Sequence, residues 1–169
     1  MKRTIRAVAL VAAALTSGAA MAVQPNGFVA AATPSQEVPN NPSIPDPALV
    51  PSCIASFRIA GADTLVYRIR CANITSVTSA HIHGPATADE TGGVRVTLFS
   101  GPTTGDVVGV LAAGTITRSG LGSAAFDLLL ADMKADLTYL NVHTSANPAG
   151  EVRGQISPVR LPDGPQLVF

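Results

Sequence analysis

From residue 53 onward, apolar and polar residues alternate with the two-residue period of half-buried β-strands, interrupted by short turn-forming clusters. Cys53, Ala55, Phe57 and Ile59 share one side, with Ile54, Ser56 and Arg58 on the other. After Gly61-Ala62-Asp63 the alternation resumes with Leu65, Tyr67, Ile69 and Cys71. A hairpin turning at Ala62 sets Phe57 against Tyr67 and Cys53 against Cys71. Opposed residues in a non-hydrogen-bonded antiparallel pair stand about 4.5 Å apart at Cα, within disulfide reach, so a Cys53–Cys71 bridge is expected. Residues 77–83 form the next strand, with Ala80 and Ile82 on one face and Ser79, His81 and His83 on the other. A strand follows at 94–99. Residues 107–111 and 113–118 read as two short strands, or as one broken at Gly114. Residues 137–144 place Leu140 and Val142 opposite Tyr139, Asn141 and His143, and 151–157 closes the set. Only residues 123–135 show helical spacing, with Phe126, Leu129, Leu130 and Met133 facing away from Asp127, Asp132 and Lys134. That helix is expected to be only one or two turns. The pattern predicts an all-β protein, an antiparallel sandwich or barrel with one short helix.

The N-terminal third reads differently. Lys2, Arg3 and Arg6 precede an apolar run over residues 7–15, and Ala20-Met21-Ala22 offers a small-x-small cleavage site. Residues 1–22 therefore read as a secretory signal peptide, too short to remain as a membrane span. Residues 23–52 are rich in proline, which removes backbone donors and favours extended chain. This segment is expected to hold one short edge strand at 28–32. The body of the domain then spans 53–157, and 158–169 is a loose tail.

Charge narrows the partners. The full chain carries 11 basic and 11 acidic residues, and cleavage would remove three of the basic ones. The mature chain would sit near −3, with no basic run, so nucleic acid is excluded as a partner. Export also suits a disulfide between the only two cysteines. A soluble product in the periplasm or outside the cell, with no membrane anchor after cleavage, is the expectation.

All three histidines fall in two matching places. Ile82, His83, Ala86, Gly92, Val94, Arg95 and Leu98 are echoed by Val142, His143, Ala146, Gly150, Val152, Arg153 and Ile156. The unit is a strand, a loop and a strand, with an imidazole at the same point. His81 and His83 lie two residues apart in a strand and project from one face about 6.5–7 Å apart along the chain. If the two units are neighbours, His143 supplies a third imidazole. Three imidazoles suit Cu(II) or Zn(II) with one position left open. Asp89, Glu90 or Glu151 would be available to complete such a site. The competing reading is structural: histidines beside Gly-Pro turns hydrogen-bond loop carbonyls, and Asn141, Thr144, Glu151, Arg153 and Gln155 form a polar network between the loops. An ordinary Glu151–Arg153 ion pair belongs to that reading.

The stretches Ala80-His81-Ile82-His83-Gly84-Pro85-Ala86, Asn141-Val142-His143-Thr144 and Pro148-Ala149-Gly150-Glu151-Val152-Arg153-Gly154-Gln155-Ile156 resemble the motifs of the CHRD domain, named after repeats in chordin. Gln36-Glu37-Val38-Pro39 is similar to that family's opening motif, and the likeness covers about residues 28–157. It implies an extracytoplasmic β-rich domain and brings no defined activity. The proline-rich stretch at 40–51 and the cysteine pair depart from the usual pattern.

No Gly-x-Ser-x-Gly accompanies Ser79, Ser145 or Ser157, and no glycine cluster has phosphate-loop spacing, so no catalytic set emerges. The expectation is an exported binding or structural module whose ligand is an extracellular protein, a glycan or a metal. The alternative is a mononuclear copper or zinc protein using His81, His83 and His143, with superoxide-dismutase-like chemistry as one version. Three histidines are too few for a two-metal site of that kind.

Overall fold

The computed structural model describes residues 24–39 and 50–162. The expected signal peptide, the proline-rich residues 40–49 and the end of the tail lie outside these. Nine strands are found among the described residues: β1 (Gly27–Ala32), β2 (Ser52–Ile59), β3 (Thr64–Thr75), β4 (Val77–His83), β5 (Val94–Ser100), β6 (Asp106–Thr117), β7 (Tyr139–Thr144), β8 (Val152–Gln155) and β9 (Ser157–Val159). They build two antiparallel sheets, in the orders β6-β3-β2-β1-β9 and β5-β4-β7-β8. The molecule is the expected all-β sandwich.

The hairpin of β2 and β3 has the register read from the alternation, Cys53 opposite Cys71 and Phe57 opposite Tyr67. The two cysteines are bonded, with Cα atoms 4.1 Å apart. Inward residues of both sheets meet in one core, including Phe28, Phe57, Leu65, Ile69, Ile82, Leu140, Val142 and Ile156, all essentially inaccessible. Each such side chain contributes about 1.5–3 kcal/mol on burial. Single residues pass the chain from layer to layer. Ser76, in a left-handed conformation (φ 51°), separates β3 from β4, and Ile156 separates β8 from β9.

Four local expectations change. β1 is no edge strand: it pairs with β2 on one side and β9 on the other. The supposedly loose tail supplies Pro158 and Val159 of β9, and beyond it Asn26 and Leu161 exchange two hydrogen bonds at 2.7 and 3.0 Å. β6 is one strand of 12 residues, unbroken at Gly114. A Cβ there would lie 2.9 Å from Tyr67 Oη, so glycine makes room for the ring paired opposite it. Tyr67 can then donate to the Leu98 carbonyl at 2.7 Å, joining the two sheets. Finally, the helix is longer than expected: α1 (Arg118–Leu121) and α2 (Ser123–Lys134) follow β6, with Phe126, Leu129 and Met133 buried. Arg118, read as the end of a strand, opens α1 and pairs with Asp63 and Asp127.

Candidate metal centre

β4 and β7 are the two central strands of the four-stranded sheet, so each is held on both sides. Their inward residues, Ala80, Ile82, Leu140 and Val142, anchor them in the core. The period of two then turns His81, His83, Tyr139, Asn141 and His143 onto the outer face. Across the ladder Ser79 opposes His143, His81 opposes Asn141 and His83 opposes Tyr139. The three imidazoles converge, with ring centroids 5.1 to 6.0 Å apart. One nitrogen from each lies within 4.8 Å of the others.

Two loops cover this face and set the ring tautomers. His83 Nδ1 is 2.9 Å from the Gly92 carbonyl, and His143 Nδ1 is 3.0 Å from the Pro148 carbonyl. A carbonyl only accepts, so both Nδ1 atoms carry the hydrogen and both Nε2 atoms keep a lone pair. Those Nε2 atoms are buried without a hydrogen-bond partner, as is His81 Nδ1. Burial lowers the pKa of all three histidines. For His81 it falls to about 4, with His143 and His83 adding to the effect. For His83 the Gly92 bond opposes the shift and Arg153 reinforces it; for His143 the Pro148 bond opposes and His83 reinforces. The cluster is therefore neutral at pH 7, the state in which imidazole ligates metals.

Around the histidines lies a belt of polar contacts. The His83 ring stacks on Tyr139 at 5.0 Å with planes 13° apart. The Arg153 guanidinium lies 3.7 Å over the same ring. Because β4 and β8 flank β7, Tyr139 is held between the two. Its hydroxyl meets Gly92, accepting from N–H at 3.1 Å and donating to the carbonyl at 3.3 Å. Arg153 is almost wholly buried and donates to the Thr87 and Glu90 carbonyls at 2.9 and 2.7 Å. Gln155 reaches the Ala86 and Asp136 carbonyls at 3.0 and 2.6 Å. β8 thus ties down the first loop, residues 84–93.

The expected Glu151–Arg153 ion pair does not form. Glu151 lies just before β8 and accepts from Thr144 Oγ1 at 2.5 Å and from Asn147 Nδ2 at 3.1 Å, bracing the second loop instead. Nor do Asp89, Glu90 or Glu151 join the histidines; among the described residues the metal-competent group is the three imidazoles alone. Glu90 is turned to Thr87, accepting from its N–H and hydroxyl.

Two participants escaped the sequence reading. Tyr139 shares the parity of Asn141 and His143, and that parity was the available signal. Glu37, in the opening motif, comes from far along the chain to lie against Asn141, and is buried. Burial raises its pKa to about 7, opposed by Arg153 and by the bond to Asn141. Gly150 (φ 141°) makes this approach feasible, since a Cβ there would sit 2.6 Å from Asn141 Oδ1 and 2.7 Å from Glu37 Oε1.

Fold and site together define a disulfide-stapled β-sandwich module with a polar, histidine-bearing face under two loops. A family model, the CHRD domain, matches residues 28–156, and the chain belongs to that family. No curated protein and no solved structure matches the chain. No helix among the described residues is long and apolar enough to cross a membrane.

Proposed function

We propose that this CHRD domain is an extracytoplasmic metal-binding module in which His81, His83 and His143 hold one Cu(II) or Zn(II) ion. The observation that carries the reading is the paired tautomer lock. His83 and His143 each spend Nδ1–H on a loop carbonyl and leave Nε2 buried, unpartnered and directed into a cluster with His81. A buried acceptor left without a partner costs about 1–3 kcal/mol, and an ion bound by all three lone pairs removes that cost. An imidazole with its second nitrogen tied to a carbonyl is also the usual oriented and more basic metal ligand.

The geometry is close to what an ion needs. Three atoms separated by at most 4.8 Å lie within about 2.8 Å of a common centre, and zinc–nitrogen bonds are about 2.0–2.1 Å. Each ring needs to shift by less than about 1 Å, and the cluster, being only partly buried, leaves a further position for water. Between the two ions, Cu(II) binds a given imidazole set more tightly than Zn(II).

Titration of the metal-free protein with Cu(II), followed by the nitrogen-ligand hyperfine pattern in electron paramagnetic resonance, is expected to saturate at one equivalent. His83→Ala should abolish that binding. Copper uptake no tighter than that of a variant lacking all three histidines would refute the proposal.

A further inference from the structure

The two sheets have four edges, and three of them are blunted. β9 is only three residues long and contains Pro158, which has no N–H to offer a neighbouring strand. β8 is four residues long and already bridged from outside: Thr33 N–H donates to the Arg153 carbonyl at 2.9 Å, and Arg153 N–H to the Thr33 carbonyl at 3.2 Å. β5 carries Arg95 and is irregular at two points against β4. Short length, proline, cover, charge and bulges are the devices by which sheet edges avoid pairing with another chain.

Like β5, β6 pairs irregularly with its neighbour, but it lacks the other devices along most of its length. It is 12 residues long, holds no proline, and has no ionisable side chain after Asp106. Its pairing with β3 shifts register at two points, near Leu111 and near Val108, and residues 112–117 then run in unbroken register. As the outermost strand of its sheet it has a neighbour on one side only, and no turn or loop among the described residues takes up the backbone groups of its open edge. That edge is also apolar: Val108 is 81% exposed and Val110 46%. A long, uncharged, apolar edge is a template for strand addition.

We propose that β6 is the edge through which two copies of this chain join, antiparallel about a two-fold axis, so that one sheet runs continuously through both. Such a contact is isologous, each strand meeting its own copy, so β6 must not repel itself. It does not. Its single charge, Asp106, stands at one end, and full-length antiparallel pairing sets it beside Thr117 of the other copy, next to Arg118. Val108, Val110, Ala113 and Thr115, exposed in the single chain, would meet only small or apolar residues. The histidine face belongs to the other sheet and stays uncovered, so this inference stands apart from the metal reading.

Sedimentation equilibrium over a wide concentration range tests it. The wild-type protein should have twice the mass of one chain. Val110→Lys and, separately, Ala113→Lys should shift it to the mass of a single chain while keeping the native circular dichroism. Val94→Lys, on the β5 edge, should leave the dimer intact. Amide exchange in the wild-type protein gives a readout without any substitution: the outward amides of residues 112–117 should exchange slowly. Single-chain mass at every concentration would overturn the proposal, as would a folded Val110→Lys or Ala113→Lys protein that remains dimeric, or rapid exchange of those outward amides.

Discussion

The three histidines should differ in their effect on stability and agree in their effect on metal binding. In the metal-free protein His83 makes one hydrogen bond to the Gly92 carbonyl and one stacked contact with Tyr139. The first is worth about 1 kcal/mol and the second about 0.5–1.5 kcal/mol, so His83→Ala should cost about 2 kcal/mol. His143→Ala loses the bond to Pro148 without a comparable stack and should cost about 1 kcal/mol. His81 makes no hydrogen bond among the described residues and leaves Nδ1 buried and unpartnered, so His81→Ala should lie within about 0.5 kcal/mol of the wild type. In a domain of this size 1 kcal/mol moves the midpoint by about 2–4 °C. The assay is thermal unfolding in chelator at pH 8, where all three rings are neutral in both folded and unfolded states. The order expected is a drop of about 4–8 °C for His83→Ala, about half that for His143→Ala, and almost none for His81→Ala. Adding metal should then equalise the set. An ion at a hundred times its Kd stabilises the wild type by about 2.7 kcal/mol, and that gain should vanish in each of the three variants. If His81→Ala destabilises the metal-free protein as much as His83→Ala does, the loop-lock account of the tautomers is wrong. If His81→Ala keeps the full metal-dependent gain, His81 is no ligand.

Two further outcomes follow from burial and covalent linkage. Glu37 holds its proton to about pH 7 in the fold against 4.5 when unfolded, so its contribution is present at pH 5 and lost as the pH rises through 7. Glu37→Gln should therefore raise the unfolding midpoint at pH 8 and change it little at pH 5; an equal effect at both pH values would contradict a buried neutral carboxyl. The histidines run the other way, their lowered values removing stability as the pH falls below 6.5, so acid unfolding should be steeper in Glu37→Gln than in the wild type. Replacing both Cys53 and Cys71 by alanine opens a link spanning 18 residues and should cost about 3 kcal/mol in denaturant unfolding while leaving one equivalent of copper binding intact. Loss of the copper site in a folded double variant would show that the far sheet shapes the histidine face.

Much of the architecture was legible because a strand writes its environment into every second residue. The alternation from Cys53 to Cys71 specified not only a hairpin but its register, and with it the disulfide. The same parity separated Ala80 and Ile82 from His81 and His83, and Leu140 and Val142 from Tyr139 and His143. Where the reading failed, the reason was a contact with a distant residue. Gly114 looked like a break because a glycine carries no sign of the Tyr67 ring that needs its space. Pro158 and Val159 looked like tail because their partner, β1, lies more than a hundred residues earlier.

The histidine face divides in the same way. Sequence alone established that three imidazoles lie on strand faces, two of them, His83 and His143, at matching points of a repeated strand–loop–strand unit. Only the tertiary structure decided that β4 and β7 are adjacent, which brings the rings together, and that Gly92 and Pro148 offer carbonyls to Nδ1, which turns both Nε2 atoms inward. It also decided against the local pairing of Glu151 with Arg153. Side-chain parity is a property of one strand and survives in the string of residues. Strand adjacency and loop closure are set by the packing of the whole core, and hydrogen-bond partners follow from them.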